Sequence, residues 1–576
     1  MRRANAPIDI AALAAHINAA PGLARLREVS DGARQADAET INSVLGEAVR
    51  FCQDVLVPLN EQCDREGCTL ENGRVRLSPA YAAAWRAYVS AGWPTLDHPI
   101  EIGGQGLPLF LAAAVQQCVD ASCAAFGMLP VLQRSAARLI AAHGSDSLRE
   151  EWLPHLVTGE WAATICISEA DAGSDAARLR TRAAQDSEGV WRIEGEKCWI
   201  SFGDHDLTPR IGHCLLARTP VGLSLFLVPS AMSPECDGGA PNSVVVRRVE
   251  EKMGLHGSPT CALGFEGARA HLIGVEGRGL QHLFVMITNM RLAAGVQGLG
   301  LAAAATDLAC LYASERRQGG PISAPPIPIG EHADVQRMLL DMSSRVEMIR
   351  GLAMAIAVQA DLAVAENDEA QRETASAMLQ WLLPIFKTIG GECGFDVSSE
   401  AVQVLGGAGY TREWPIEQFM RDARVATIFE GTTGIQALDL LHRRLWRDEG
   451  AGLNVFLAAA RADTVACSDG PRQSAEHVFA RLESAGRRMG EWKSRPHDAE
   501  AGATAFLRLA GLAATAWIAG RLIAHESDTP TARRLASLGR YWLSSLPARA
   551  DLAHAESLIG AERLQGAAEI ISMQTL

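Results

Sequence analysis

The chain has 576 residues, of which 48% are hydrophobic, and this length exceeds what a single hydrophobic core supports. Its formal net charge of -14 excludes a general attraction to nucleic-acid phosphates or to anionic membranes. We therefore expect several packed units, no nucleic-acid partner and no membrane association. Aromatic residues make up only 5% of the chain, whereas helix-forming residues are abundant, and this balance favours a mainly helical fold.

The thirteen cysteines are scattered, odd in number and never spaced as C-x-x-C. This pattern predicts reduced, mostly buried thiols, with neither a disulfide framework nor a bound metal. Near the N-terminus, Asp9 and His16 interrupt the apolar run that a signal peptide needs. The most apolar stretch, 293–313, contains Gln297 and Asp307, which favours a buried helix over a membrane span. We expect a cytoplasmic protein.

Helical periodicity dominates the first part of the chain. Apolar residues recur at spacings of three and four in "AETINSVLGEAVRFCQDVL" from Ala38 and in "PLFLAAAVQQCVDASCAAFGML" from Pro108. The Gly-rich segment "HPIEIGGQGLP" from His98 predicts an interruption between helices. The sequence therefore predicts an N-terminal extension over 1–40 and an N-terminal helical domain over 41–163.

The pattern changes to short β-like runs over 164–280, where Gly, Asp, Ser and Pro clusters separate them as in an antiparallel sheet. The runs are "ATICIS", "VWRIEGEKCWIS", "HCLLAR", "LSLFLVP", "SVVVRRV" and "CALGFEG". Helical periodicity returns over 281–446 and is broken by "GGPISAPPIPIG" from Gly319, because its prolines cannot continue a helix. A linker is predicted at "RDEGAGLN" from Arg447, before an extra helical module over 453–576.

Several common chemical motifs are absent. The sequence has no G-x-G-x-x-G after a strand, no Walker phosphate loop, no H-E-x-x-H and no G-x-S-x-G. A Rossmann site, a nucleoside triphosphatase, a zinc protease and a serine hydrolase of the nucleophile-elbow type therefore have no support. A bound nucleotide cofactor would need a non-Rossmann site.

Two polar clusters lie at the ends of predicted strands. The cluster "CISEADAGSD" at 166–175 places hydroxyls and carboxylates where backbone N–H groups can meet an acceptor-rich ligand. Its alternative interpretation is a turn that only reverses the chain. The cluster "KCWISFGDHD" at 197–206 places Trp199 and Ser201 on one face of a strand. Its alternative interpretation is a core tryptophan.

A third cluster, "MRDARVATIFEGTTGIQ" at 420–436, places Glu430 after an apolar run and before Gly-Thr-Thr-Gly. Partial desolvation beside this run would raise the pKa of the Glu430 carboxyl and make it a usable base near neutral pH. The alternative is a carboxylate that caps the helix at the Gly-Thr-Thr turn. The local sequence leaves both interpretations open.

Together the clusters resemble, in order and spacing, the acyl-CoA dehydrogenase family over about 45–445. "CISEADAGSD" and "CWISFGDHD" are similar to two flavin motifs of that family, and "YASERRQGG" is similar to its dimer-interface flavin motif. "QVLGGAGYTREWPIEQFMRDARVATIFEGTTGIQ" resembles the C-terminal block that carries the catalytic base. "EKMGLHGSPTC", "GVEGRGLQHLF" and the added helices resemble the extended bacterial branch that includes 3-methylmercaptopropionyl-CoA dehydrogenases.

The resemblance implies a fold that is mainly α with a central antiparallel β domain: helical bundle, β-barrel or sandwich, helical bundle and C-terminal extension. It also implies an FAD site shared by two subunits, so that a homodimer is the smallest active unit and a larger homo-oligomer is possible. The residues that match FAD contacts are Ile165, Ser168, Ser174, Trp199, Ile200, Ser201, Arg316, Gln318, Gln403, Gly407, Thr432 and Gly434. The residues that match substrate contacts are Ser174, Thr288, Arg291 and Gly431.

The activity that the resemblance implies is FAD-dependent α,β-dehydrogenation of an acyl-CoA thioester to a trans-2-enoyl-CoA. Glu430 would remove the α-proton, flavin N5 would take the β-hydride, and the Glu430 amide would stabilise the thioester carbonyl. Arg291 would supply the local cation that an anionic CoA arm requires in this acidic protein. An electron-transfer flavoprotein is the expected electron acceptor.

One motif departs from the family's commonest pattern. Ser168, Glu169, Ala170 and Asp171 stand where Thr-Glu-Pro-Gly is usual, which alters turn stiffness and adds a carboxylate near a phosphate-binding loop. Two alternatives follow: a flavoprotein that has lost dehydrogenation and serves as a binding or protective module, and a flavin oxidase that reduces oxygen directly. Retention of Glu430 and the net charge of -14 argue against the first.

Overall fold

The computed structural model of the protein describes residues 8–232 and 239–573. Cys236 and the outermost residues of the segments predicted over 1–40 and 453–576 lie outside these ranges. The chain divides into two compact units. The helical unit comprises Met1–Gly46, Pro108–Gln117 and Ala294–Leu576, and the sheet unit comprises Glu47–Leu107 and Cys118–Ala293. This division is coarser than the five predicted segments, which stay a prediction.

Helices make up most of the described chain, which confirms the mainly helical fold class. In chain order they are α1 Ile10–Asn18, α2 Leu23–Val29, α3 Asp31–Gln35, α4 Ala38–Phe51, α5 Val57–Glu66, α6 Pro79–Ser90, α7 Leu109–His143, α8 Asp146–Thr158, α9 Gly279–Glu315, α10 Ala333–Ala365, α11 Glu369–Leu405, α12 Ile416–Ala423, α13 Thr433–Asp439, α14 Ala451–Thr464, α15 Asp469–Glu491, α16 Pro496–Ala524, α17 Pro530–Ser557 and α18 Ala567–Met573. Cys123 has non-helical backbone angles, so α7 is broken at that residue.

The strands lie between α5 and α9. In chain order they are β1 Thr69–Glu71, β2 Arg74–Arg76, β3 Ala162–Cys166, β4 Arg182–Gln185, β5 Trp191–Ser201, β6 Ile211–Arg218, β7 Leu223–Pro229, β8 Val244–Val249 and β9 Thr260–Ile273. β1 and β2 form a hairpin, and the others form a sheet in the order β3-β6-β4-β5-β9-β7, with β8 beside β9. β6 also pairs with β7, so the strand path closes on itself as in a barrel.

The sheet is antiparallel except where β6 pairs with β3 and β4, which are both parallel to it. Its inward-facing side chains form one apolar core, which includes Ile193, Ile200, Phe226, Leu263 and Phe265. Removal of these side chains from water is the main contribution that holds the strands together.

The sequence analysis missed β4 and the β1–β2 hairpin. Asn72 and Gly73 connect the hairpin with φ values of 52° and 77°, which is the backbone that a two-residue hairpin turn needs. The Asn-Gly pair was therefore an available sequence signal. β4 has no such signal, because its residues Arg182–Gln185 include only two alanines as apolar side chains.

The break predicted from Arg447 is short in the structure, where only residues 448–450 separate helical segments. Gly450 adopts φ 71°, a left-handed conformation that lets α14 begin at the next residue. The extra helices then pack inside the helical unit. A Cβ added at Gly452 would lie 2.8 Å from Trp381 Cβ, and the Trp381 ring lies 6.3 Å from that of Phe506. α11, α14 and α16 therefore share one core.

A buried ion cluster holds the N-terminal segment to the helical unit. His16 Nε2 lies 2.7 Å from Glu347 Oε2, and Glu347 also pairs with Arg350 and Arg534. Burial lowers the pKa of His16. Burial opposes the charge of Glu347, but Arg350 and His16 hold the pKa of its carboxyl well below the ordinary value. The cluster joins α1, α10 and α17.

In the described part of the chain, four helices are long and apolar enough to cross a membrane by length and composition: α7, α9, α10 and α16. Their most apolar windows are 100%, 83%, 72% and 83% buried inside the protein. The apolar stretch at 293–313 lies within α9, where the sequence predicted a buried helix. The cytoplasmic location stays a prediction.

A buried histidine makes the stability of the sheet unit depend on pH. Burial lowers the pKa of His213 to about 3 from an ordinary value of 6.5, and its Nδ1 lies 3.0 Å from Thr164 Oγ1. Only the unfolded chain protonates this ring between these values, so the free energy of unfolding falls as pH falls from 6.5 towards 3. We predict that His213→Asn lessens the decrease in Tm between about pH 7 and about pH 5.

The measurement is the Tm of purified protein by circular dichroism across this pH range. His525→Asn is the matched control, because His525 is exposed and its Nδ1 bonds only to its own helix at Arg521 O. The control should keep the wild-type dependence of Tm on pH. A His213 variant with that same dependence would contradict the prediction.

Candidate active site

The predicted site residues fall into two groups, one in each compact unit. Those in the sheet unit are Ile165, Ser168, Ser174, Trp199, Ile200, Ser201, Thr288 and Arg291. Those in the helical unit are Arg316, Gln318, Gln403, Gly407, Glu430, Gly431, Thr432 and Gly434.

The ends of β3 and β5 are joined, so the structure brings the first two polar clusters together. Cys198 N donates to Ser168 O at 2.9 Å, and Lys197 Nζ donates to Ile167 O at 3.0 Å. Ser168 is half-buried beside this junction, whereas Ser174 is exposed farther along the turn. The two strand ends therefore present their polar groups side by side.

A buried ion pair braces the turn after β3. The Lys197 side chain is 0% exposed, and its Nζ donates to Glu169 Oε1 at 2.8 Å. The same carboxylate accepts from Arg180 N at 2.6 Å and from Thr181 N at 3.0 Å. Burial opposes the charge of Glu169, but Lys197 and the Arg180 N–H hold the pKa of its carboxyl below the ordinary value. The polar cluster at 166–175 is therefore a turn, and the Lys197–Glu169 ion pair holds it.

Asp171, the added carboxylate in this motif, is paired at the surface. Its Oδ2 lies 3.2 Å from Arg180 Nη1, and the two side chains are 68% and 79% exposed. An exposed pair of this kind contributes little to stability, but it places a positive charge beside the added negative one. The departure from the family motif therefore leaves Glu169 and its brace intact.

Trp199 projects from a bulge near the end of β5. Lys197 pairs with Leu263 and Ile200 pairs with Cys261, so two residues of β5 oppose one residue of β9. Trp199 has φ 61°, a left-handed conformation that costs a residue other than glycine roughly 1–3 kcal/mol. Its side chain is 61% exposed, so the core-tryptophan interpretation is wrong. Trp199 and half-buried Ser201 flank Ile200, which is 2% exposed.

The segment predicted to meet the CoA arm is fixed by residues that the sequence analysis missed. Asn289, beside half-buried Thr288, accepts from Arg138 Nη1 at 2.8 Å, and Arg138 Nη2 donates to buried Asp97 at 2.5 Å. Arg291 is only 7% exposed, so it is a buried cation. The contacts assigned to Thr288 and Arg291 stay predictions.

The two predicted interface motifs lie close together in the helical unit. The Tyr312 ring, one turn before Arg316, lies 5.2 Å from the ring of Trp414, which follows the turn Gly406–Tyr410. A Cβ built at Gly406 or at Gly407 would meet nothing within 4 Å. Arg316, Gln318, Gln403 and Gly407 are all exposed.

Glu430 lies in a strained turn between Phe429 and α13. It is half-buried, and it has φ 57° and is followed by Gly431 at φ 94°. The helix-cap interpretation of Glu430 is wrong, because Thr432 is the N-cap of α13 and its Oγ1 accepts from Ile435 N at 3.4 Å. The carboxylate of Glu430 is therefore not used as that cap.

Two buried side chains that the sequence analysis missed bind the backbone of this turn. Gln436 Nε2 donates to Glu430 O at 2.9 Å, and Lys387 Nζ donates to Gly431 O at 2.7 Å. Both side chains are 0% exposed. The signal for Lys387 was a single cation inside the apolar run "WLLPIFKTIGG", because a lone charge at a core position usually has a specific partner.

A second carboxylic acid lies beside the same turn. Thr433 Oγ1 donates to Glu392 Oε1 at 3.4 Å, and burial raises the pKa of Glu392. Within residues 8–232 and 239–573, no group of three or more His, Cys, Asp or Glu side chains is placed to hold a metal ion.

The sequence matches three domain models of one family. These describe the N-terminal, middle and C-terminal domains of acyl-CoA dehydrogenase, and they match residues 39–160, 164–268 and 277–445. The chain is 36% identical over 540 residues to the 3-methylmercaptopropionyl-CoA dehydrogenase of Ruegeria pomeroyi. That match covers 89% of this chain and 90% of the relative.

Solved structures show the same fold over nearly the whole chain. Caenorhabditis elegans ACDH-11, in complex with C11-CoA, has a TM-score of 0.82 at 20% identity, over 99% of this chain and 96% of that one. An acyl-CoA dehydrogenase from Bacillus anthracis, complexed with FAD, has a TM-score of 0.74 at 19% identity, over 94% and 90%. At these identities the likeness concerns the fold alone.

The Lys197–Glu169 ion pair, which braces the turn after β3, gives a prediction about stability. Lys197→Met should lower the free energy of unfolding by roughly 3 kcal/mol, because it leaves the Glu169 carboxylate buried without its cation. The double variant Lys197→Met with Glu169→Gln should lose less than the single variant, because the unpaired charge is gone. Urea denaturation measures both changes.

Arg247→Met is the matched control for that measurement. Arg247 pairs with Glu196 and Glu266 on the same sheet, but its side chain is 41% exposed. Its loss should therefore change the free energy of unfolding much less than the loss of Lys197 does. Equal losses in Lys197→Met and Arg247→Met would show that the Lys197–Glu169 pair is not a brace.

Proposed function

The chain belongs to the acyl-CoA dehydrogenase family of FAD-dependent oxidoreductases, and from this premise we propose that it oxidises an acyl-CoA thioester to a trans-2-enoyl-CoA. Glu430 is the proposed base. The observation that carries the proposal is the turn at Glu430, where the carboxylate is half-buried and the capping role is filled by Thr432. The cap of this helix is therefore supplied by Thr432, and the carboxyl of Glu430 is the proposed proton acceptor.

The residues of the sheet unit fit a flavin. The exposed indole of Trp199 offers a flat apolar surface, and the junction of β3 and β5 places the Ser168 and Ser201 hydroxyls near the same strand ends. In the helical unit, the open backbone at Gly406 and Gly407 leaves room for a ligand to approach closely. Exposed Arg316 is the type of cation that binds a pyrophosphate through charge-assisted hydrogen bonds.

The proposed chemistry begins with a weak carbon acid. The Glu430 carboxylate accepts the α-proton of the thioester, and the Glu430 amide N–H donates to the thioester carbonyl oxygen, where negative charge develops. When bound, FAD supplies the acceptor for the β-hydride at flavin N5. A base and an oxyanion donor on one residue couple proton removal to charge stabilisation, provided that this residue is held in one orientation.

We propose a homodimer as the smallest active unit and an electron-transfer flavoprotein as the electron acceptor, in the cytoplasm. The exposure of Arg316, Gln318, Gln403 and Gly407 supports the shared site, because a single chain leaves these residues open to a second one. The family resemblance supports the acceptor.

The central test is Glu430→Gln. Glutamine keeps the size of the side chain but cannot accept the α-proton, so we predict normal FAD content and a flavin bleaching rate that is lower by about 10²–10⁴-fold. The measurement is anaerobic bleaching of the visible flavin absorbance of the purified yellow protein, with the best substrate from a panel of acyl-CoAs. Comparable rates in both proteins would exclude Glu430 as the base.

Glu449→Gln is the matched control for that test. Glu449 is exposed and has φ 51°, so it undergoes the same chemical change at the same kind of backbone position. Its bleaching rate should equal that of wild type. Peroxide formation in air that is faster than transfer to an artificial acceptor would instead support the flavin-oxidase alternative.

The shared FAD site is tested by Arg316→Ala. Loss of a guanidinium that faces a pyrophosphate should weaken FAD retention, since alanine cannot replace its charge-assisted bonds. The measurement is the flavin-to-protein absorbance ratio after gel filtration. Arg317→Ala is the matched control, because Arg317 is the exposed neighbour and its Nη1 bonds to Pro326 O at 3.3 Å. Equal FAD retention in the two variants would contradict the prediction.

A further inference from the structure

We propose that Lys387 and Gln436 are positioning residues that hold the backbone of Glu430 and Gly431 in the orientation that presents the base. This inference rests on the proposed function and names the parts of the chain on which that function depends. Neither residue is among the predicted contacts of substrate or FAD. Their role is exerted through the backbone of the turn.

The backbone at the base needs to be held, because its conformation is disfavoured. Glu430 has φ 57°, in the left-handed region that residues with a Cβ avoid, and Gly431 has φ 94°. A residue other than glycine stays in this region only where the surrounding structure fixes it. The groups that fix the backbone at Glu430 are therefore important for the proposed function.

Both carbonyls of the turn are fixed by buried side-chain donors. Gln436 Nε2 lies 2.9 Å from Glu430 O and 3.4 Å from Gly431 O, and Lys387 Nζ lies 2.7 Å from Gly431 O. Two successive carbonyls with fixed directions define the peptide planes on both sides of Gly431. These two planes restrict the direction in which the Glu430 side chain projects from the backbone.

The donors come from two different helices, which restricts the turn from two sides. Lys387 lies in the middle of α11, and Gln436 lies in the first turn of α13. Gln436 leaves its own Oε1 without a hydrogen-bond partner among the described residues. An amide that is buried with an unsatisfied acceptor is disfavoured, so its position is explained by the donor that serves the turn.

The presence of a lysine at position 387 also supports the positioning role. The chain has only four lysines among its 53 lysine and arginine residues, and Lys387 is 0% exposed. A buried ammonium is costly unless its N–H groups have acceptors, and Gly431 O is one acceptor that this ammonium has. The Phe429 ring centroid lies 5.9 Å from its Nζ, so the residue before the base also covers the amine. A three-donor point charge suits this narrow space better than a planar guanidinium.

Loss of the bonds from Lys387 and Gln436 should lower the reaction rate rather than the affinity for substrate or FAD. Without these bonds the turn relaxes towards an allowed backbone, and the carboxylate and amide of Glu430 move together away from the thioester. A displacement of about 1 Å at a reacting group lowers the rate by roughly 100-fold. FAD and the CoA arm are bound by other residues in the proposed site, so their affinities should change little.

The test compares Lys387→Met and Gln436→Met with wild type. Both changes keep an unbranched side chain of similar length and remove the donor. We expect the anaerobic bleaching rate at saturating acyl-CoA to fall by about 10–100-fold, with a KM within about threefold of wild type and with normal FAD content. The primary isotope effect with α-dideuterated acyl-CoA should rise, because proton removal becomes more rate-limiting.

Thr388→Val is the matched control. Thr388 follows Lys387 in the same helix, is 1% exposed, and bonds Pro384 O inside that helix at 2.9 Å through Oγ1. Its loss removes a buried donor that does not serve the turn, so rate and isotope effect should stay as in wild type. A purely structural role for Lys387 would lower the yield of active enzyme and leave the isotope effect unchanged.

The outcomes separate the two proposals. A wild-type flavoprotein that no acyl-CoA in the panel bleaches would overturn the proposed function itself. An active wild type whose two methionine variants match it in rate and isotope effect would overturn the positioning role alone. If Lys387→Met does not fold, Gln436→Met alone decides the question, because an unchanged rate in that variant overturns the inference and a lower rate with a larger isotope effect supports it.

Discussion

The left-handed backbone at Glu430 is the constraint on which the arrangement of the proposed site depends. A non-glycine residue in this region is disfavoured by roughly 1–2 kcal/mol, so the turn keeps its shape only because neighbouring groups bind it. Gly431 permits the following φ of 94°, Thr432 starts α13, and Gln436 and Lys387 bind the two carbonyls. Helices α11 and α13 therefore stabilise the turn through these two side chains, in addition to packing in the helical unit.

The sheet unit has a similar feature at Trp199, which is a residue other than glycine with a positive φ. Here too a residue with a bulky side chain has a positive φ, in this case 61° in a β-bulge, and the buried Lys197 lies at the start of that bulge. Lys197 donates to Ile167 O, as Lys387 donates to Gly431 O. The other two lysines, Lys252 and Lys493, also donate to backbone carbonyls. Among the described residues, arginine forms most of the surface ion pairs, whereas each of the four lysines donates to a main-chain carbonyl.

The sequence supplies candidate residues for the site, but it does not predict the backbone shape of the turns that hold them. Hydrophobic periodicity and the ordered motifs identified helical stretches such as those at α4 and α7, six of the strands and the turn of Glu430, because these signals are local. The bond from Lys387 to Gly431 spans 44 residues and that from Lys197 to Glu169 spans 28, so no local pattern reports them. Positive φ at Glu430 and Trp199 likewise results from tertiary contacts. The length of the break after Arg447 could not be predicted, because turn residues and the start of a helix share the same composition.

The same energetics distinguish an enzyme from a binding module with this fold. A module that had lost dehydrogenation would need neither a base at φ 57° nor a buried ammonium and a half-satisfied amide to hold it there. Natural proteins retain such unfavourable groups chiefly where a function depends on them. The concentration of these groups around Glu430 therefore supports the dehydrogenase proposal on physical grounds that are separate from the family resemblance.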